Sequence, residues 1–256
     1  MSTTEYQTIE YRKEGKIAIF SLNRPDVLNA QNTQLHHELN DALLDFRDDS
    51  DLWVGIINGY GRAFSAGADI NDFTTATTGS NIGFRRIRAE QIWKPFIAAI
   101  HGYCLGGGLQ LAMECDLRIA ADDARLGYPE VLIGYFPGSE CTLRLPRYIN
   151  RTHVMELMMT GKQISAEEAY RIGLINLIVP RGELMQTVMD WAISICEAGP
   201  LGVQAVKEMI IRGYNMSWDD GIKLEAELTT RIRNSNDFKE GTSAFIEKRK
   251  PQFKAQ

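Results

Sequence analysis

The sequence has few of the residues that bind metal ions or form disulfides. Of its 256 residues, four are cysteines and four are histidines. The cysteines form no CxxC pair and the histidines no HExxH pair, which are the spacings typical of metal and redox sites. We therefore expect no metal site and no disulfide framework, and the cytoplasm is the predicted compartment.

The sequence also lacks an excess of positive charge and a long apolar run. It has 28 basic against 33 acidic residues, for a net charge of -5, and its longest basic cluster is residues 248–250. Nucleic-acid binding is therefore not expected. No stretch approaches the length of a membrane span, and residues 1–10 are polar and lack the apolar part of a signal peptide. Membrane association is therefore not expected either.

Strand and helix signals alternate over the first half of the chain. Apolar runs at residues 16–22, 53–57, 95–100 and 117–121 predict buried strands. Residues 31–48 carry apolar side chains at helical spacing. This alternation predicts the α/β class. A hydrophobic content of 44% is enough for one large domain with a smaller appendage.

The last third of the sequence predicts helices. Ser165 and Glu168 have the spacing of a capping box at a helix start. Three further helices are expected, at residues 188–196, 202–211 and 218–232. We place a domain boundary near residue 198, giving a core domain of residues 1–198 and a helical region of residues 199–256. The apolar faces of that region are too few to enclose a core, so we expect them to pack on the core domain or on another subunit.

Two glycine-containing stretches each follow a predicted strand. In residues 61–70 (GRAFSAGADI), four small residues in a row leave backbone N–H groups open to a ligand. In residues 101–116, three glycines lead into an apolar helical pattern, which directs free N–H groups and the positive helix end at one place. The candidate occupants are a phosphate, although no Walker A lysine or GxGxxG pattern occurs, and an oxyanion held by two backbone donors. Alternatively, these glycines only permit tight turns and close helix packing.

Together, the two stretches resemble the signature segments of the enoyl-CoA hydratase/isomerase (crotonase) superfamily. The resemblance continues, in order, along nearly the whole chain, at residues 22–30, 128–138, 171–176 and 245–250. It implies an α/β fold built as a spiral of ββα units, with a C-terminal helical trimerisation region that forms trimers or pairs of trimers. It also implies an enzyme that acts on an acyl-CoA thioester, with coenzyme A as part of the substrate and no separate cofactor.

The resemblance implies roles for individual residues. The N–H groups of Ala68 and Gly107 would form an oxyanion hole around the thioester carbonyl, and Glu130 would be the acid/base. Lys248 of a neighbouring subunit would approach the phosphates of coenzyme A. The remaining coenzyme-binding positions would be Asp26, Val27, Leu28, Ala30, Ala66, Ala68, Asp69, Ile70 and Gly107.

Gln110 stands where the typical hydratase carries a second catalytic glutamate. A glutamine can bond to a water molecule but cannot accept its proton, so the two-carboxylate mechanism of hydration lacks one part. Glu130 alone could take a proton from one carbon and return it to another, which favours double-bond isomerisation. An enzyme similar to carboxymethylproline synthase, which forms a C–C bond from an enolate, also fits this Gln–Glu pair.

Glu140 replaces a glycine in a turn that usually borders the acyl pocket. It is a candidate second acid, which would suit a specialised hydratase/dehydratase. Two other placements fit the sequence equally, an outward orientation and a pairing with Arg144. Asp26 and Asn71 stand where relatives often have lysine, which implies fewer phosphate contacts, weaker CoA affinity or an acyl-carrier-protein thioester. An alternative of another class is a non-catalytic acyl-CoA-binding subunit, which the intact glycine stretches and the acid/base glutamate disfavour.

Overall fold

The computed structural model describes residues 6–75 and 87–256. Its strands are β1 (Ile9–Glu14), β2 (Ile17–Leu22), β3 (Val54–Gly59), β4 (Ala63–Ser65), β5 (Phe96–Ile100), β6 (Tyr103–Leu105), β7 (Leu117–Ala121), β8 (Arg125–Gly127), β9 (Gln163–Ser165) and β10 (Leu177–Val179). They form a six-stranded sheet with the order β1-β2-β3-β5-β7-β10 and a four-stranded sheet with the order β4-β6-β8-β9.

Ten α-helices accompany these sheets within the described residues. They are α1 (Thr33–Asp48), α2 (Ile70–Thr75), α3 (Gly107–Glu114), α4 (Cys141–Arg144), α5 (Arg151–Thr160), α6 (Ala166–Arg171), α7 (Leu184–Glu197), α8 (Pro200–Gly213), α9 (Trp218–Arg233) and α10 (Asn236–Glu247). In that part of the chain, no helix combines the length and the apolar character that a membrane crossing requires.

The chain alternates between the two sheets. After each of β3, β5 and β7 in the large sheet, it forms a short strand of the small sheet, namely β4, β6 or β8. The strands of each set are parallel to one another. A helix follows the first two of these strand pairs, α2 after β4 and α3 after β6. The predicted α/β fold with a spiral of ββα units is therefore confirmed.

The large sheet is covered on both faces. Every residue of β2, β3 and β5 is buried. Because parallel strands between two layers bury both faces, they appear in a sequence as continuous apolar runs, as predicted here. Helix α1 covers one face with Leu39 and Phe46 among others, and α7 covers the opposite face with Leu184 and Val188.

The C-terminal helices lie where the sequence predicted them. Ser165 caps α6 by accepting a hydrogen bond from the N–H of Glu168, although the Glu168 carboxylate pairs with Arg171 instead of closing the capping box. Helix α8 contacts the rest of the molecule through Lys207, whose ammonium donates to backbone carbonyls of residues 89 and 94. The division of the chain at residue 198 stays a prediction.

Candidate active site

The two glycine-containing loops touch each other through Gly67. This residue has φ of +101°, which favours glycine. A methyl group placed on its Cα would lie 2.9 Å from the carbonyl oxygen of Leu105 and 3.3 Å from the nitrogen of Gly107. A side chain at residue 67 would therefore separate the loop after β4 from the loop after β6.

The two predicted backbone donors are on adjacent segments. Gly107 is the first residue of α3, so its N–H has no partner within the helix. A methyl group on Gly107 would lie 3.6 Å from the nitrogen of Ala68. Among the residues that the structure describes, neither N–H donates to a backbone carbonyl. The close approach of the two segments is compatible with one anionic oxygen accepting from both N–H groups.

Glu130 lies beside the second donor. It belongs to the 3₁₀ helix Pro129–Ile133, and its Oε1 would be 2.8 Å from a methyl group on Gly106. Its Oε2 is buried and has no hydrogen-bond partner in the described part of the chain. Burial raises the pKa of the Glu130 carboxyl above its ordinary value. A carboxylate with an unpaired oxygen and a raised pKa has the properties of a general base.

The amide nitrogen and the amide oxygen of Gln110 both form hydrogen bonds with the turn that follows Glu130. Its Nε2 donates to the carbonyl of Ser139 at 2.8 Å, and its Oε1 accepts from the Cys141 thiol at 3.6 Å. Burial raises the pKa of Cys141 to about 12, so the thiol stays protonated and can donate. The Gln110 amide therefore connects α3 to this turn by hydrogen bonds.

Glu140 is paired with arginines, which does not favour its predicted role as a second acid; that role stays a prediction. Its Oε1 accepts from Arg88 at 2.6 Å and its Oε2 from Arg144 at 3.0 Å. Arg144 is only 8% exposed and also binds Glu90 at 2.8 Å. Both carboxylate oxygens are therefore engaged by arginines. Of the alternatives drawn from the sequence, the pairing with Arg144 is the one observed.

Three buried polar side chains connect the loops, and none of them has a predicted role. Asn29 and Ser65 are fully buried, and Gln31 is 7% exposed. Ser65 Oγ donates to the carbonyl of Asn29 at 2.8 Å and accepts from the N–H of Gly67 at 3.2 Å. Gln31 Nε2 donates to the carbonyl of Gly107 at 3.1 Å. Their nearness to the glycine stretches was a signal, but the sequence alone does not tell which polar side chains are buried.

Comparison with known proteins identifies the family. The enoyl-CoA hydratase/isomerase family model matches residues 12–256. The chain belongs to this family. The short-chain-enoyl-CoA hydratase of Clostridium acetobutylicum is 38% identical over 255 residues, which cover 96% of this chain and 97% of the relative. The crystal structure of enoyl-CoA hydratase from Mycobacterium tuberculosis has a TM-score of 0.92 at 34% identity, covering 97% of this chain and 99% of that one.

Membership of the enoyl-CoA hydratase/isomerase family makes the protein an enzyme of the lyase or isomerase type. A second solved structure, that of an enoyl-CoA hydratase subunit from Geobacillus kaustophilus, has a TM-score of 0.90 at 35% identity and covers 99% of this chain and 100% of that one. The probable enoyl-CoA hydratase of Bacillus subtilis is 38% identical over 248 residues, covering 94% of this chain and 96% of the relative. The likeness therefore extends over whole chains, and not only over the two glycine-containing loops.

Several predicted coenzyme-binding residues of this family member lie together beside Ala68. The N–H of Ala66 donates to the carbonyl of Leu28 at 2.9 Å. The guanidinium of Arg24 donates to the carbonyl of Ala30 and to the Asp69 carboxylate, the latter at 2.9 Å. This bond lowers the pKa of Asp69 below its ordinary value. The Asp69 carboxylate is therefore already paired, and its contribution to ligand binding would come from its backbone.

The remaining predicted coenzyme-binding side chains are exposed. They are Asp26, Val27, Ile70 and Lys248. Lys248 follows α10 and has φ of +53°, so the basic cluster at residues 248–250 lies past the end of the helix. The approach of Lys248 to the site of a neighbouring subunit stays a prediction.

An apolar cavity of about 700 Å³ lies elsewhere, in the C-terminal helical region. Its wall includes Val206 of α8 and Phe238, Phe245 and Ile246 of α10, and it shares no residue with the site around Glu130. Within residues 6–75 and 87–256, no group of three or more histidine, cysteine or acidic residues is arranged to hold a metal ion.

Proposed function

We propose that this family member binds an acyl-CoA thioester and moves its double bond, with the N–H groups of Ala68 and Gly107 as the oxyanion hole and Glu130 as the only acid/base. The observation that carries the proposal is a carboxylate with one buried, unpaired oxygen, which lies beside two neighbouring loops with N–H groups, and no free second carboxylate occurs among the site residues described. Coenzyme A is part of the substrate, and no resident cofactor is required.

The reaction follows from these three groups. Glu130 takes a proton from C2 of a 3-enoyl thioester, and the electrons move toward the thioester oxygen. The resulting dienolate carries negative charge on that oxygen, where two N–H donors stabilise it more than they stabilise the neutral thioester. The protonated Glu130 then returns the proton to C4, which gives the 2-enoyl thioester and restores the carboxylate.

Hydration is disfavoured because it also needs a second group that deprotonates or fixes a water molecule. Gln110 cannot take a proton, and its amide is already bonded to Ser139 and Cys141. Glu140 is bonded to Arg88 and Arg144. Neither side chain is available in this arrangement to complete a two-carboxylate site.

Hydration of 2-enoyl-CoA is nevertheless the second candidate function, because the similar curated proteins are named as hydratases. In that case Gln110 would release the turn at residues 139–141 and hold the water molecule while Glu130 alone transfers the protons. A slow hydratase would result, since one of the two proton-transferring groups is missing.

A substrate pair separates the two candidates. The purified protein is incubated with a 3-enoyl-CoA and with the 2-enoyl-CoA of equal length, and the products are separated by chromatography. We expect the double-bond shift to be faster than hydration, and we expect Gln110→Glu to raise hydration at least about tenfold by supplying a second carboxylate. Faster hydration than isomerisation by the unmodified protein would refute the assignment and support the second candidate.

We also propose a homotrimer or a pair of trimers that associate through the C-terminal helices. The support is an apolar surface on this region, where Phe245 is 85% and Ile246 is 79% exposed. Light scattering of the purified protein measures the mass directly. Phe245→Asp is expected to dissociate the assembly. Phe253 lines the same cavity but is less exposed, so Phe253→Asp is expected to disturb folding of the chain itself and serves as the comparison.

A further inference from the structure

We propose that Gln31 is a positioning residue that holds the two N–H donors at the spacing a thioester oxygen requires. The inference rests on the proposed oxyanion hole and adds a residue that touches neither the substrate nor the acid/base. Gln31 lies before α1, in a segment distant in sequence from both donors. Its main chain is bonded to one donor loop and its side chain to the other.

The main chain of Gln31 fixes the loop that carries Ala68. The N–H of Gln31 donates to the carbonyl of Gly67 at 2.7 Å, and its carbonyl accepts from the N–H of Asp69 at 3.0 Å. These two bonds form a parallel bridge between Gln31 and Ala68. Because both neighbours of Ala68 are bonded, the peptide that carries the Ala68 N–H has little freedom to turn.

The side chain of Gln31 fixes the start of α3. Its Nε2 donates to the carbonyl of Gly107 at 3.1 Å and to Ser65 Oγ at 3.3 Å. A carbonyl can only accept, so the amide nitrogen must face Gly107. The amide oxygen then lies 3.3 Å from the position of a methyl group on Gly107. The amide is therefore held in one orientation between the two loops.

This arrangement acts on the transition state more than on substrate binding. Donors of an oxyanion hole stabilise charge only when they are held within about 0.5 Å of the productive geometry. Most of the predicted coenzyme-binding residues lie outside α3, so a small displacement of Gly107 would weaken stabilisation of the dienolate and leave most of the binding unchanged. Loss of such an interaction lowers kcat while KM changes little.

Two substitutions at residue 31 and one control test the inference. Gln31→Leu removes the donor at similar size, and we expect about a tenfold lower kcat with KM within about threefold, as for one lost hydrogen bond. Gln34→Leu removes an amide three residues away, which is exposed and bonds Gln7 and Glu38. This control is expected to keep the kcat of the unmodified protein.

Gln31→Glu gives a readout that packing alone would not move. When ionised, the new carboxylate cannot donate to Gly107 and opposes the negative charge of the dienolate, so we expect a larger loss of kcat than for leucine. When protonated, its hydroxyl can donate as the amide does. The ratio of its kcat to that of the unmodified protein should therefore rise as the pH falls. A ratio that does not vary with pH would overturn the inference, including in the event that Gln31→Leu fails to fold.

A bound chromophore separates failure of this inference from failure of the oxyanion hole itself. The probe is a CoA thioester whose carbonyl is conjugated to an aromatic ring, because polarisation of that carbonyl shifts its absorbance to longer wavelength. No shift on binding to the unmodified protein would refute the oxyanion hole. A shift in the unmodified protein that is undiminished in Gln31→Leu would refute the role of Gln31 alone. We expect a clear shift that becomes smaller in Gln31→Leu and stays unchanged in Gln34→Leu.

Discussion

Replacement of Glu130 by glutamine is the most direct test of the proposed chemistry. The two side chains have nearly the same size, so the substitution removes the ability to accept a proton and leaves the packing around Gly106 in place. The carboxylate oxygen Oε2 has no hydrogen-bond partner among the described residues that could be lost. Any loss of turnover can therefore be assigned to proton transfer.

The size of the effect follows from the number of available bases. One general base contributes roughly 10²- to 10⁴-fold to the rate of an enzymatic reaction. Because Gln110 cannot take a proton and Glu140 is bonded to Arg88 and Arg144, no nearby group replaces the lost carboxylate. We expect a loss near the upper end, about 10⁴-fold in kcat, which corresponds to about 5 kcal/mol of activation free energy.

The pH dependence of the unmodified protein provides a second measurement of the same group. Burial raises the pKa of Glu130 above the 4.5 of an unperturbed glutamate, and the ionised form is the base. The value of kcat/KM should therefore decline as the pH falls, with a midpoint above 4.5, and this limb should be missing in Glu130→Gln. Measurements of the double-bond shift across the pH range, with Glu156→Gln as an exposed control, supply the profile.

Glu130→Gln should lower activity without lowering the thermal stability of the protein. A carboxyl whose pKa is raised by folding stabilises the folded state fully only below its unfolded value, and that contribution is lost as the pH rises through the raised value. At neutral pH the ionised Glu130 therefore opposes folding, so Glu130→Gln should melt at the same or a higher temperature. The difference should vanish below about pH 4. Turnover within tenfold of the unmodified protein, or a markedly lower melting temperature at neutral pH, would refute this account of Glu130.

Three further substitutions test the parts around Glu130. Gly107→Pro removes the N–H at the first position of α3, where proline is tolerated, so kcat should fall by roughly 10²- to 10³-fold while circular dichroism shows the same helix content. Gly106→Ala places a methyl group 2.8 Å from Glu130 Oε1 at φ of +51°, and a stability loss of about 1–2 kcal/mol in urea unfolding should accompany at least a tenfold loss of turnover. Glu140→Gln should leave turnover within about threefold of the unmodified protein. It should lower the free energy of unfolding by about 1 kcal/mol, because a partly exposed ion pair is weakened. A several-hundredfold loss of turnover would instead support Glu140 as a catalytic acid.

Elements with their own apolar signal could be predicted from the sequence. The strands β2, β3, β5 and β7 are buried, so their residues alone identify them. The strands of the small sheet are only three residues long and depend on pairing with segments far away in the chain. A three-residue segment carries too little pattern to indicate a strand, which is why β4, β6, β8 and β9 were not predicted.

In the candidate site, too, some features could be predicted from the sequence and others could not. The positions of Ala68, Gly107 and Glu130 followed from motifs that are local in sequence. The surroundings of Gln110 and Glu140 did not, because their partners come from other segments, 29 residues away for Ser139 and 52 for Arg88. Gln31 was missed for the same reason, since its bond to Gly107 spans 76 residues. Residue types indicate which chemistry is available, whereas the fold determines which groups are already engaged.

The contact of Lys207 with the core has a consequence for how the molecule unfolds. All three protons of its ammonium are used, by Asp116 at 2.8 Å and by the carbonyls of residues 89 and 94 at 3.0 Å each. If a truncation ended the chain at residue 198, the partly buried carboxylate of Asp116 would lose its counter-ion, at a cost below the 3–5 kcal/mol typical of a fully buried ion pair. Heating should therefore melt the helical region and the sheets in a single cooperative step, and the shortened chain should be recovered as aggregate.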